Sequence, residues 1–287
     1  MGAGRTRPGV ISRSRAVVGP GGVLESVECA APLTVRRVQS DDDATCALCL
    51  VGTAAGPLAG DDLELSLHLR PGARCTLVAA GASIAQGRQP LSREPAGGEP
   101  GQCEPAGRQP AAPGREPAAP GRGPAAPKPA AAARLAMRVR LDAGARLRAS
   151  PGALIVCEGS RIDVHIDVAL ATDASLDWRE LIVLGRAGDR PGAVTLRWDV
   201  TVAGRPLLRQ YLELSDPALR GWPGMLGDAR VLVSALLAGP DLTARTIVAA
   251  PTAVAQRLDD TAVLVTVLGR DAADASAELQ RLCAEFG

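Results

Sequence analysis

The sequence is poorest in lysine, histidine and aromatic residues, and each scarcity excludes a class of site or core. Lys128 is the only lysine, and no Gly-x-x-x-x-Gly-Lys motif surrounds it, which excludes a P-loop nucleotide site. The only two histidines, His68 and His165, cannot build a three-histidine metal site or a His-Glu-x-x-His zinc helix. Because aromatic residues make up only 2% of the chain, its core must be built from aliphatic side chains.

Charge and hydropathy give no sign of a nucleic-acid or membrane partner. Thirty-two basic and thirty-one acidic residues leave a formal charge of +1, which creates no overall field for polyanions. No stretch approaches the roughly 18 apolar residues of a spanning helix, and no apolar segment follows the N-terminal arginines as in a secretory signal. The seven scattered cysteines do not form a disulfide framework. We therefore expect a cytoplasmic location, reduced cysteines and protein partners, with no nucleic acid and no membrane.

A proline-rich tract interrupts the chain at about 88–130. Eleven of the twenty-three prolines fall in it, and Leu91 is its only large aliphatic residue. Its short repeats, which begin at Gly107, Gly114 and Gly121, are typical of coil and polyproline II. Because β patterning resumes afterwards in the same style, we predict one β domain over residues 1–287, interrupted by a disordered Pro/Ala/Gly-rich insertion. A linker between two domains is the alternative.

Short apolar runs separated by Gly and Pro turns predict strands on both sides of the tract. Apolar and polar residues alternate over 135–141, 162–170 and 194–202, which indicates strands with one buried face. Residues 203–206 (AGRP) have the composition of a hairpin turn. Residues 231–237 fit either a strand or a buried helix. Asp271 is placed to cap a C-terminal helix, so the fold class is mainly β, with stacked sheets and few helices.

Two motifs with catalytic or metal-binding spacing are weak. Cys46 and Cys49 have Cys-x-x-Cys spacing, but no second pair accompanies them, and in a strand they would point to opposite faces. Ser83 lies in GASIA, which lacks the final glycine of a nucleophile elbow and a histidine in the required order. A hydrolase with Ser83 as its nucleophile is therefore an alternative function rather than the preferred one.

Glu180 is the most informative polar residue. A strand over 176–185 places it on the same face as Trp178 and Ile182. A carboxylate among apolar neighbours needs a cation, hydrogen bonds or a water-filled passage. An ion pair with an arginine such as Arg186 is the structural explanation, and a polar passage is the functional one.

Two further polar groups are candidate sites. Asp163, His165 and Asp167 share the polar face of one predicted strand, where oxygen and imidazole ligands could hold a divalent ion such as nickel or zinc. A solvated face explains these residues equally well. Residues 52–62 (GTAAGPLAGDD) form a glycine-rich turn that ends in paired acids, and an Asx-type turn at the start of a strand accounts for them.

Residues 56–61 (GPLAGD) resemble the glycine-rich Gly-Asp signature of the UreD (UreH) family of urease accessory proteins, and Glu180 followed by Gly185-Arg186 resembles the second signature of that family. The segments PLTVR at 32–36, PGARCTL at 71–77 and PGALIV at 151–156 follow in the order of the family. The resemblance covers nearly the whole chain outside the tract. Residues 79–85 (AAGASIA) depart from the Thr-Gln-Ala-containing stretch of the family.

The resemblance implies a β-sandwich or β-helical scaffold without catalytic residues. It also implies a metallochaperone role, in which the protein binds apo-urease with UreF and the GTPase UreG and assists nickel delivery. Asp61 and Glu180 match the acidic positions of the family and would contact nickel transiently, with no tightly bound cofactor. A homodimer within the accessory complex is compatible with this role. Besides the Ser83 hydrolase, a β-rich interaction module unrelated to urease is the remaining alternative.

Overall fold

A computed structural model describes residues 9–87 and 131–286, so the tract predicted at 88–130 lies outside the described residues. The described chain consists mainly of strands, which confirms the predicted fold class. Before the tract these are β1 (Ile11–Gly19), β2 (Val23–Glu28), β3 (Leu33–Val38), β4 (Cys46–Gly52), β5 (Asp62–Leu69), β6 (Arg74–Ala79) and β7 (Ser83–Ala85).

The elements after the tract include the two α-helices of the described chain. They are β8 (Ala133–Leu141), β9 (Arg146–Ala149), β10 (Ala153–Val156), β11 (Arg161–Leu170), β12 (Ser175–Leu184), β13 (Ala193–Val202), β14 (Arg205–Glu213), α1 (Pro217–Arg220), β15 (Val231–Ala238), β16 (Ile247–Ala250), β17 (Ala253–Asp259), β18 (Ala262–Gly269) and α2 (Ala272–Cys283). A 3-10 turn at Ala284–Phe286 follows α2. Neither α-helix is long and apolar enough to cross a membrane.

The strands form two sheets. The seven-stranded sheet has the order β14-β13-β11-β8-β5-β1-β2. The eleven-stranded sheet has the order β16-β17-β18-β15-β12-β9-β6-β4-β3, with β10 beside β12 and β7 beside β10. Strands from before and after the tract are neighbours in both sheets, since β5 pairs with β8 and β7 pairs with β10.

The central strands are parallel, yet no helix connects them within residues 9–87 and 131–286. In the smaller sheet β5, β8, β11 and β13 are successive parallel neighbours, and in the larger sheet β6, β9 and β12 are. Parallel neighbours need a long crossover, which is commonly a helix. Here the chain crosses to the other sheet between them, so the connections contain strands of that sheet. The result is a β-helical winding of stacked sheets.

The main core lies between the two sheets and is largely aliphatic. Each central strand buries alternate residues, as Ile162, Val164 and Ile166 of β11 illustrate, while the residues between them face outward. A second cluster lies under α2, on the other face of the larger sheet, and includes Val233 and Leu279. Strand β15 contributes to both clusters, which explains why 231–237 lacked a clear period.

The hairpin and the C-terminal helix are present where the sequence predicts them. Strands β13 and β14 pair in antiparallel fashion, and Ala203 and Gly204 between them have φ values of 48° and 79°, as a tight hairpin turn requires. The Asp271 side chain accepts hydrogen bonds from the backbone N–H groups of Ala273 and Asp274 at the start of α2. The pairs β1–β2 and β16–β17 and the short α1 were not predicted.

Replacing Asp271 with alanine should lower the free energy of unfolding by about 1 kcal/mol, because two backbone N–H groups lose their acceptor. Urea unfolding followed by circular dichroism measures this difference. The matched control is Asp271→Ser, which keeps a capping oxygen and should lie close to the wild type. Equal losses for both variants would show that capping is not the cause.

Candidate functional site

Glu180 lies in the core between the two sheets. It is on β12, whose inward face also carries Trp178 and Ile182, and only 8% of its surface is exposed. The period-two alternation therefore predicted its direction correctly. A carboxyl group in such surroundings loses nearly all of its hydration, so its remaining polar contacts determine its charge.

An indole, not a guanidinium, is the partner of Glu180. Nε1 of Trp198, on β13 of the opposite sheet, donates a hydrogen bond of 3.0 Å to Oε2 of Glu180. The predicted ion pair with Arg186 is wrong. Strand β12 ends at Leu184, and Gly185 with a φ of 83° turns the chain so that Arg186 is exposed.

Burial raises the pKa of Glu180 from its ordinary value of 4.5 to about 7, and the hydrogen bond from Trp198 lowers it only in part. Burial penalises the charged form, while a donor to the carboxylate favours it. One indole N–H cannot replace a hydration shell. Glu180 is therefore close to balance between its neutral and ionised forms near neutral pH, and a nearby cation would favour the ionised form.

A small cavity of about 30 Å³ borders Glu180 between the sheets. Its walls are mostly apolar and include Leu135, while Ser83 adds a second polar side chain. The space is sufficient for a water molecule. On the same face of β12, Nε1 of Trp178 is buried and has no hydrogen-bond partner within the described residues. This part of the core therefore holds polar groups with few partners.

Ser83 lacks the surroundings of a nucleophile. It lies on β7 and faces the cavity between the sheets. Both histidines of the sequence lie in the described chain and alternate with the inward residues of β5 and β11, so they are on the outer face of the smaller sheet. There His68 contacts Asp142 at 2.8 Å and His165 contacts Asp199 at 3.1 Å. The smaller sheet thus lies between Ser83 and either imidazole, so neither histidine can serve as the general base of the hydrolase alternative.

Asp61 holds the backbone of the glycine-rich turn. It is 5% exposed, its Oδ1 accepts from the backbone N–H of Val10 and its Oδ2 from that of Leu58, each at 2.9 Å. The turn also packs tightly against the start of β1, where a Cβ on Gly9 would lie 1.7 Å from the carbonyl oxygen of Gly60. Asp61 does not line the cavity beside Glu180. The structure therefore does not bring the two acids together in that cavity.

A ladder of main-chain contacts nevertheless connects the two signature segments. The carbonyl oxygens of Gly56 and Pro57 accept hydrogen bonds from the backbone N–H groups of Ile84 and Gln86, each at 3.2 Å. Strand β7 pairs with β10, and β10 pairs with β12, which carries Glu180. The turn held by Asp61 therefore supports β7, the strand whose Ser83 faces the cavity.

Asp163, His165 and Asp167 do not converge. They occupy alternate positions on the outer face of β11, so neighbouring Cα atoms in the series are about 7 Å apart. His165 instead contacts Asp199 of β13, a carboxylate that also accepts from Arg197. Over residues 9–87 and 131–286 no three His, Cys, Asp or Glu side chains are grouped to hold a metal ion. The geometry is that of an ion-paired outer face.

The two cysteines of the Cys-x-x-Cys run point to opposite faces of β4, as the strand period predicted. Cys46 instead lies opposite Cys75 of β6, and both thiols are buried. The hydrogen bond between them lowers the pKa of Cys46 to about 7 and, together with burial, raises that of Cys75. Spacing along the sequence cannot reveal such a pair, because it depends on the register of two strands.

Exchanging Glu180 for glutamine should make the protein more stable at high pH and leave its stability little changed at low pH. Burial favours the neutral form of Glu180 in the folded state. The contribution of Glu180 to the free energy of unfolding is therefore complete below pH 4.5 and is lost as the pH rises through about 7. At pH 8 the variant should exceed the wild type by up to about 3 kcal/mol in free energy of unfolding. Urea unfolding at several pH values from 5 to 8 measures the difference, and a gap that does not change with pH would contradict a raised pKa.

Converting Asp61 to asparagine should destabilise the fold by about 1–3 kcal/mol, because the amide has one acceptor oxygen for two buried N–H donors. Chemical unfolding at pH 7 tests this. Asp173→Asn, in an exposed turn, is the control and should be nearly neutral. If Asp61→Asn were as stable as the wild type, Asp61 would not hold the turn.

The family model for the UreD urease accessory protein matches residues 12–286, a range that contains both the turn and β12. The chain is 32% identical over 243 residues to urease accessory protein UreD 1 of Streptomyces griseus, covering 82% of this chain and 75% of that protein. It is 32% identical over 248 residues to UreD 3 of the same organism, with 84% and 81% covered. To UreD of Streptomyces coelicolor it is 33% identical over 207 residues, with 72% and 66% covered. This chain belongs to the UreD family of urease accessory proteins.

Proposed function

We propose that this protein is a non-enzymatic scaffold that binds apo-urease together with UreF and UreG and assists the delivery of nickel to urease. Family membership supports the connection to urease. The observation that carries the nickel step is the buried carboxyl of Glu180, which has a pKa of about 7 and borders a cavity between the sheets. The family likeness does not support a β-rich module unrelated to urease.

The chemistry of Glu180 suits brief contact with a divalent ion. When Ni²⁺ approaches, its charge favours the carboxylate, so the ion binds as the carboxyl proton leaves. After the ion moves on, the carboxyl regains a proton, because a lone buried charge is unfavourable. A single oxygen ligand holds nickel weakly compared with a cage of Cys or His ligands, and weak binding allows transfer.

The cavity is too small for a hydrated ion in this conformation, so transfer requires one wall to move. We assign that wall to β7, which has only three residues and is held by β10 on one side and by two hydrogen bonds to the turn at 56–57 on the other. Short segments with few cross-strand hydrogen bonds open at low free-energy cost. Binding of a partner protein would shift β7 and widen the space beside Ser83 and Glu180.

Asp61 contributes to this proposal through the backbone. Its two hydrogen bonds fix the turn at 56–61, and that turn supports β7. The resemblance implied a direct nickel contact for Asp61, but both oxygens already accept backbone N–H groups. Glu180 therefore makes the contact with the ion, and Asp61 has a positioning role.

Exchanging Glu180 for glutamine should reduce urease activation without preventing complex formation. Glutamine keeps an acceptor for the indole of Trp198 but has no charge to offer a cation. Co-expression with the urease structural proteins, UreF and UreG should give roughly tenfold less urea hydrolysis and less nickel per urease. A pull-down through this chain should recover the same partners.

The control for this experiment is Glu158→Gln, which removes a carboxylate from an exposed turn. It should leave activity and nickel content unchanged. Normal nickel content in urease matured with the Glu180 variant would contradict the proposed route. Loss of partners from the pull-down would show that Glu180 serves assembly instead.

A further inference from the structure

The outer face of the larger sheet carries a broad groove with a volume of about 990 Å³. Its floor is formed by β6, β9 and β12, and it extends to the C-terminal end of α2. Four arginines line it, and we call it the arginine groove: Arg74 on β6, Arg146 and Arg148 on β9, and Arg179 on β12. The proposed nickel step uses none of them, since Arg179 and its neighbour Glu180 point to opposite faces of β12.

Positive charge exceeds negative charge in the arginine groove. Asp177 and Asp241 are the only acidic residues that line it within the described chain. Arg179 holds Asp177 through two hydrogen bonds of 2.8 and 2.9 Å, and Arg148 lies 3.4 Å from the same carboxylate. Two carboxylates that line the groove therefore face four guanidinium groups, and Asp42 outside the lining adds one further negative charge near Arg74.

The register of the sheet brings like charges together. Arg74 lies directly opposite Arg146 on the neighbouring strand, and Arg148 is two residues further along the same face. Like charges at paired positions destabilise a sheet. The counter-charge of Arg146 is Asp241, which is 3.6 Å away with 84% of its side chain exposed. An external anion would relieve this repulsion.

We propose that the arginine groove binds an extended acidic segment of a partner protein. Side chains at alternate positions of an extended segment repeat every 7 Å or so, which is also the spacing of Arg146 and Arg148 along β9. A guanidinium group presents a planar fork that matches a carboxylate. Segments with acids at alternate positions would therefore pair with both arginines.

The rest of the lining favours a peptide over a nucleic acid. Leu242 and Phe286 give the groove apolar contacts for the remaining side chains of a bound segment. Phe286 is the only aromatic residue that lines it in the described chain, and the guanidinium carbon of Arg245 lies 5.6 Å from its ring centroid. Single-stranded nucleic acids bind through several stacking platforms.

The test is a fluorescence anisotropy titration of the full chain with a labelled peptide that has glutamate at alternate positions. Saturable binding is expected, and the same peptide with glutamine at those positions should not bind. The double variant Arg146→Thr and Arg148→Thr should bind about tenfold more weakly, since two partly exposed charge pairs are lost. The control is Arg161→Thr on β11 of the smaller sheet, which should match the wild type.

Four results would overturn the proposal: no saturable binding, equal binding of the glutamine peptide, an unchanged affinity of the double variant, or tighter binding of an oligonucleotide of equal charge. Thermal unfolding checks that the double variant is folded. If the double variant is unfolded, the single variant Arg74→Thr takes its place in the assay. This change removes only the charge that lies opposite Arg146, and it should also weaken peptide binding. The assay contains neither urease nor nickel, so its outcome is separate from that of the proposed nickel step.

Discussion

One hydrogen bond joins the two sheets at the candidate site, from the indole of Trp198 to the carboxyl of Glu180. The surrounding core is aliphatic, so it provides little other polar stabilisation. This one donor orients the carboxyl but does not replace its lost hydration, and the pKa rises to about 7. The charge of the group is thus sensitive to any cation that reaches it. The proposed role in nickel transfer depends on that sensitivity.

The β-helical winding explains why such a group can be held in place. Parallel neighbours such as β10 and β12 come from successive passes of the chain and fix the inward direction of each side chain. The same alternation puts Arg179 outside and Glu180 inside. One strand therefore carries both the carboxyl in the core and part of the arginine groove. The turn held by Asp61 supports β7, which borders the cavity on another side.

Local sequence predicted many of the strands, the hairpin, the helix cap and the burial of Glu180, because each depends on a period or a motif of a few residues. It could not identify Trp198 as the partner, since that contact depends on which strands of the two sheets face each other. The same limit applies to Asp61, whose acceptor role involves Val10, 51 residues earlier. His165 was grouped with its strand neighbours, but its contact is with Asp199 on the adjacent strand. Side-chain contacts that depend on the order of strands in the sheets could not be predicted from the sequence. The inward or outward direction of a side chain, which depends on the strand period, was predicted correctly.

The most direct test of the account is infrared difference spectroscopy of the purified protein, using the Glu180→Gln variant as the reference. The wild type should show the band of a protonated carboxyl below pH 7 that the variant lacks. That band should disappear as the pH rises through about 7, and in the proposed complex with UreF and UreG addition of Ni²⁺ should remove it at lower pH. Absence of the band at pH 6, or a band that Ni²⁺ leaves unchanged in that complex, would contradict the claim that a buried carboxyl exchanges its proton for the ion.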